Sequence, residues 1–389
     1  MTVLFFVYAA AAAPSGFFDL GFVLKGAGAF QNGVGAPSVE WRGDTEEYVM
    51  YFEAATDAED VPEGCANSFH IGRATSPDGV TWALDEAPVL TASGVAGTPR
   101  ECSVAQPAIL FDGTQWNLFY SASKLPNEGA ATNAPSGIGW ATSADGIAWT
   151  VVEEVLVPFV DTSIGLSSAA ALNGVVYLEV AELPDIFQLS RPVGSSTWSE
   201  PVRVLDHLSV GEWAGHWVHG PSLVCDEAAS RPLAMLFGGD TEGTFERGLG
   251  WAESADGVSW AVDTNSPLAG GNLDYSALNH WDVLRSGAGY VVWYSRTDEE
   301  SGEKAVGAAV TDTQLGDPAP RACPSPWAVE EDTGSVDTGV GDTGDTAGDD
   351  GEDTDEPAES GDCGCASGGP VAGLVGVGLG LLLLGTRRR

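Results

Sequence analysis

The stretch EWAGHWVHGPSLV, residues 212 to 224, gathers Glu212, Trp213, His216, Trp217 and His219 just ahead of an apolar run, in a chain that has only five histidines. An imidazole with an ordinary pKa near 6.5 can move a proton or hydrogen-bond a hydroxyl at neutral pH. An aromatic face can cover a sugar ring while polar edges take its hydroxyls. A second group of this kind, His280, Trp281 and Asp282, follows later in the chain. The plainer alternative is that these tryptophans fill a core and the histidines bond to backbone. Glu101, Glu212, Asp274 and Asp282 stand near comparable loop positions and are candidates for an acid and base pair. Sequence alone does not say whether any two lie within the roughly 5 to 10 Å that glycoside hydrolysis requires.

An internal repeat sets the elements that must position these groups. IGRATSPDGVTW (71 to 82), IGWATSADGIAW (138 to 149) and LGWAESADGVSW (249 to 260) share one template. Alternating residues form a strand, Asp-Gly forms the tight turn, and the following tryptophan packs back over its neighbour. Asp78, Asp145 and Asp256 are accordingly turn formers. Trp82, Trp149, Trp198 and Trp260, which close successive units, are assigned to packing. Each copy is preceded by YVMYFEA, WNLFYSA or LAMLFGG, and before that by PSVEW, PAILF or PSLVC. Weaker units fill the gaps, SAAAL, VVYLEVAE, IFQLS and SSTW first, then WDVL, YVVWYS and AVGAAV.

Five units of up to four antiparallel strands predict an all-β fold, a five-bladed β-propeller spanning 17–325. The last unit lacks its fourth strand, and FDLGFVLK (18 to 25) resembles the fourth-strand pieces APVL and EPVRVL. The N-terminal strand is therefore expected to complete blade five and close the ring, leaving no open sheet edge. Of three possible pairings among the four cysteines in this region, Cys65 with Cys102 and Cys225 with Cys323 is favoured. No two of them lie close enough together for a zinc site.

The ends read differently. Residues 1–16 form an apolar run ending in small residues, as in a secretory signal, although no positive charge precedes it. A buried first strand is the alternative, which the run of alanines suits poorly. Residues 326–362 are Asp, Thr and Gly with almost nothing to bury, and predict a disordered acidic stalk. The run has no regular calcium-loop signature. Residues 363–389 carry Cys363 and Cys365, an apolar stretch marginal for spanning a bilayer, and three terminal arginines. That order resembles the tripartite C-terminal sorting signals of exported bacterial proteins, in particular the cysteine-containing myxobacterial type, which implies processing at Cys363 and Cys365. A plain single-span anchor is the alternative. Either way the chain is expected outside the cytoplasm, at the cell surface or tethered to an outer membrane.

Acidic residues outnumber basic ones by 56 to 16, giving a net charge of −40. Such a chain repels phosphate backbones, so nucleic acid is excluded as a partner. The expected partners are a carbohydrate, the export and sorting machinery and a membrane at the C-terminal segment, and the chain is read as a monomer. No phosphate loop, nucleophile elbow or histidine-rich metal motif is present. No cofactor is expected, and a divalent ion in the channel is left open.

In a propeller the first strand of each blade lines the central channel, so the residues beside each strand start face the ligand side. These are Ala36, Gln106, Ser167, His219 with Gly220, and His280. From about residue 18 to 315, in this architecture and in the S-x-D-G-x-x-W repeats, the chain resembles the five-bladed glycoside hydrolases, especially the arabinanase and xylosidase type of family 43. In that family an Asp before the first-blade Pro is the general base and an Asp before the second-blade Pro tunes pKa. The Glu of a later Glu-Gly-Pro is the general acid. The resemblance puts these roles at Ala36, Gln106 and His219, none of which is a carboxylate.

Three functions therefore compete. The first is a surface-anchored propeller binding carbohydrate through His216, Trp217, His219, Gln106, His280 and Trp281. The second is an active glycoside hydrolase using His219 or the relocated acids Glu101, Glu212 or Asp282. The third is a surface scaffold that contacts proteins.

Overall fold

The computed structural model describes residues 12–126, 132–158, 167–243, 247–311 and 315–324. The first eleven residues of the expected leader, the stalk and the C-terminal segment with Cys363 and Cys365 lie outside the described residues. So does the apolar stretch read as an anchor. Among the described residues, no helix is long and apolar enough to cross a membrane.

Five antiparallel sheets form the blades. Val34–Arg42, Glu47–Ala55, Phe69–Ser76 and Ala83–Leu84 make blade one, and Ser103–Phe111, Trp116–Lys124, Ala134–Ser143 and Thr150–Pro158 make blade two. Blade three is Ser167–Leu172, Val175–Glu182, Asp185–Pro192 and Val202–Leu205. Blade four is Trp217–Cys225, Leu233–Asp240, Arg247–Ser254 and Trp260–Val262. Blade five takes His280–Ser286, Gly289–Thr297 and Lys304–Val310, and its fourth strand is the N-terminal Gly16–Leu24, paired antiparallel to Lys304–Val310. The N-terminal strand thus closes the ring. Pairing begins at Gly16, opposite Gly270, so the last residue of the expected leader is already part of the sheet.

The weaker unit SSTW is irregular over residues 195–198, and the fourth strand of blade three is Val202–Leu205, within the EPVRVL expected there. Trp198 instead packs across the seam, 5.6 Å from the ring of Phe119 and 5.8 Å from that of Trp140. Burying that large ring between blades outweighs the pairing its backbone would gain in the sheet.

The repeat explains how neighbouring blades adhere. In the three copies, Asp78, Asp145 and Asp256 each accept hydrogen bonds from two backbone N–H groups of their own turn. Ser76, Ser143 and Ser254 take the glycine N–H at 2.8 to 2.9 Å. The glycine carbonyls of those turns then face the preceding blade, where Trp293, Tyr51 and Gln188 donate to Gly79, Gly146 and Gly257.

The inner strands are stitched by a second device. Ser38, Ser168 and Ser222 accept from Ile109, Leu223 and Val283 of the next blade at 2.9 to 3.0 Å. At the ring closure the same position is Asp282, which accepts from Val39 N at 2.6 Å. Blade two has Ala108 there, and its seam with blade three is held by a fully buried Arg191 to Asp112 ion pair at 3.0 Å. Residues 315–324 return beneath the ring, where Ala322–Cys323 pairs with the inner strand of blade three. Cys225 and Cys323 are bonded with Cα atoms 6.0 Å apart, and Cys65 and Cys102 with Cα atoms 5.5 Å apart.

Candidate functional site

The inner strands of blades one, two and four share a bulge at the mouth of the channel, where the register shifts between Gly35 and Ser38, Ala105 and Ala108, and His219 and Ser222. Ala36, Gln106 and Gly220 occupy the bulge with φ of 43°, 49° and 57°. Glycine adopts this left-handed conformation freely, but alanine and glutamine hold it at a cost on the order of 1 to 3 kcal/mol each. The proline that follows fixes the next φ and turns the strand down into the channel.

Around the axis these bulges enclose a cavity of about 30 Å³, lined by Ala36, Gln106, Gly220, His280, Trp281 and Asp282 with other strand-start residues. A volume of that size holds roughly one water. Its one carboxylate is Asp282, whose oxygens are committed to Val39 N, to Ser222 Oγ at 2.8 Å and to the Arg321 guanidinium. Arg321 rises from the returning C-terminal segment and also donates to Val39 O and Leu223 O, while its backbone N–H reaches Glu40. Burial pushes the Asp282 carboxyl up against the opposing pull of Arg321. Asp282, a sequence candidate for catalysis, therefore joins blades and anchors Arg321.

Gln106 and His280 meet at the cavity wall, with Gln106 Nε2 3.1 Å from His280 Nε2. Gln106 Oε1 accepts from Ser121 Oγ at 2.7 Å. With its oxygen taken, the amide presents N–H to His280, whose Nε2 accepts and whose neutral ring carries its proton on Nδ1. Burial pulls the His280 pKa down to about 4; Glu53 opposes this, and Lys304, His219 and Arg247 add to it.

The blade-four cluster is arranged differently. His219 is buried, lies tilted against Trp281 with ring centroids 5.6 Å apart, and has its Nε2 3.4 Å from Asp240 Oδ2. Burial lowers its pKa, with Asp240 opposing. Burial alone would raise the Asp240 carboxyl, but His219, the Trp217 indole N–H and Arg247 hold it at about 2. Trp217 is thus tied to Asp240, and its ring lies 3.8 Å from that of His216.

Glu101 is buried and takes Gly97 N at 3.0 Å, Glu212 is exposed in a one-turn helix, and Asp274 caps another. None of the three lines the axial cavity.

A larger groove of about 310 Å³ opens beside the axis between blades one and two, sharing Gln106 and His280 with it. Its walls include Phe69, Ser103, Ser121 and Asn133, and Glu53 and Lys304 form an ion pair of 3.1 Å at the His280 end. Glu53, Lys304, Phe69 and Asp240 are absent from the sequence-derived candidates. They sit on second and third strands of blades rather than at inner-strand starts. The one available signal is that Asp240 ends a strand whose other residues are apolar or small, and that Glu53 follows an apolar run near the end of its own strand.

No family model matches the chain, and no curated protein matches it in sequence. Solved structures do share the fold. A glycosyl hydrolase from Bacteroides ovatus superposes with a TM-score of 0.56 at 16% identity, over 79% of this chain and 97% of that one. A structure described under the GH130 family of mannoside phosphorylases, with glycoside hydrolases targeting β-1,2 mannosidic linkages in Candida mannan, gives 0.57 at 14%, over 80% and 99%. The catalytic domain of a Coprinopsis cinerea GH62 α-L-arabinofuranosidase gives 0.50 at 12%, over 77% and 98%. At such identities the likeness is one of fold.

Proposed function

We propose that the protein is an exported, surface-tethered propeller that holds a carbohydrate at its mouth without cleaving it by the two-carboxylate route. One observation carries this reading: the carboxylate at the axis, Asp282, is occupied by Arg321, Val39 and Ser222, while the bulge positions around it are Ala36, Gln106 and Gly220. Cleavage of a glycosidic bond needs one group to protonate the leaving oxygen and another to activate water or attack the sugar. Neither alanine, glutamine nor an ion-paired aspartate does this. Polar hydrogen-bonding groups and the glycoside-hydrolase character of the structural neighbours support a carbohydrate ligand. The two disulfides accord with export to an oxidising compartment.

A second reading, hydrolysis through relocated acids, draws on the placement of Glu53 and Asp240 beside His280 and His219. A glycan array with the purified protein separates these from a protein scaffold. Saturable retention on glycans supports the first two readings, and none on any glycan leaves the scaffold.

A further inference from the structure

We infer that the sugar-recognition subsite is the groove between blades one and two, off the axis, and that it takes a neutral pyranoside or furanoside. This rests on the carbohydrate reading above and deepens it. Size argues first against the axis. The axial cavity of about 30 Å³ admits roughly a water, whereas the groove of about 310 Å³ falls at the small end of ligand sites.

The groove is built to hold its shape. Cys65 on the loop of blade one is bonded to Cys102 at the start of blade two, which staples the two blades together. Asn133 of blade two adds three hydrogen bonds of 2.8 to 2.9 Å to Ala66 and Asn67 of blade one. A rigid groove loses little entropy when a ligand enters.

Its lining then selects the chemistry. Phe69, half-buried in the wall, offers an aromatic face for the apolar side of a sugar ring. Amides and hydroxyls supply most of the remaining polar groups, and these match uncharged hydroxyls in both donating and accepting senses. At the inner end Lys304 and Glu53 present an ammonium donor and a carboxylate acceptor side by side, already neutralising each other. An acidic sugar would draw Lys304 away and leave the buried Glu53 carboxylate unpaired, at a large cost. Neutral sugars carry no such cost.

Calorimetry tests this with the purified protein and neutral trisaccharides of xylose, arabinose and mannose, with a galacturonic acid trisaccharide as the charged comparison. The expected result is binding to a neutral probe, none to the acidic one, and a loss of about tenfold or more on Phe69→Ala. Ser123→Trp, which fills the groove from the other blade, abolishes binding, while Val258→Ala, on an exposed turn of blade four, leaves it unchanged. Neutral binding that survives Phe69→Ala and Ser123→Trp but falls with Trp217→Ala overturns the groove and leaves the carbohydrate reading standing. Tighter binding of the acidic probe overturns the ligand class. No binding to glycans of either kind overturns both the groove and the carbohydrate reading.

Discussion

Gln106 and His280, 174 positions apart in the chain, meet at the channel mouth with 3.1 Å between their side-chain nitrogens. The contact joins blade two to blade five across the axis, and the Ser121 hydroxyl fixes its direction by occupying the amide oxygen. His280 is thereby held as the neutral tautomer with Nδ1 protonated, and burial lowers its pKa to about 4.

Replacing that amide by a carboxylate should release the histidine. In Gln106→Glu a negative charge beside the imidazole favours the protonated ring, so the His280 pKa should climb from about 4 towards or above its ordinary value. Five histidines make the ring protons resolvable in an NMR titration. An unchanged His280 titration would mean that Gln106 does not set its environment.

Stability should depend on pH in two opposed directions. Glu179 is fully buried, and burial raises its pKa to about 8, with Gln188 opposing; burial likewise raises Glu40 to about 7, with Arg321 opposing. Because the folded carboxyls hold protons that the unfolded ones release, their contribution is complete below about pH 4.5 and is lost as pH rises through 7 to 8. His280 acts in the other sense: the unfolded ring gains a proton below about 6.5 that the folded ring refuses until about 4, so stability falls as pH drops across that window. Glu179→Gln should raise the melting temperature at pH 9, a gain on the order of 2 to 4 kcal/mol, and change little at pH 5. Equal effects at both pH values would contradict this.

Arg321 is the cationic partner of Asp282 in the closed ring. Arg321→Ala should cost about 3 to 5 kcal/mol, since a buried Asp282 carboxylate is left uncompensated. Adding Asp282→Asn should recover part of the loss, giving a positive coupling in a double-mutant cycle by urea denaturation. Strict additivity would show that the two residues act independently.

The turn glycines should separate by what faces them. Gly146 has φ of 74°, and a Cβ there would stand 2.8 Å from the Tyr51 hydroxyl, so Gly146→Ala should cost about 2 to 3 kcal/mol. Gly174 has φ of 78° and nothing within 4 Å, so Gly174→Ala should cost about 1 kcal/mol. Equal losses in urea denaturation would remove the turn from the contact between blades one and two.

Much of the architecture was legible because the same chemistry recurs. Ser76, Asp78 and Gly79 make a turn whose hydrogen bonds are local, so each copy betrays itself without knowledge of its neighbours. The ring closure by FDLGFVLK, observed as Gly16–Leu24, could be inferred because blade five lacked a strand. Trp198 was legible as a packing residue because the repeat places a tryptophan at the close of each unit. The site was harder. Gln106, His280 and Trp281 stand beside inner-strand starts, a position that alternation exposes. Glu53, Lys304 and Phe69 converge only when blades one, two and five are set around a common axis, and no spacing in the chain encodes that convergence. Asp282 looked chemical by its type, whereas its position is the one held by serine in three other blades.

The central claim is tested most directly by following one neutral oligosaccharide by calorimetry and by product release with the same protein sample. The account predicts saturable binding with no new reducing ends over the time in which a glycosidase would consume the substrate. Sustained product release that is lost in Glu53→Gln or Asp240→Asn would contradict it and would establish relocated acids as the catalysts.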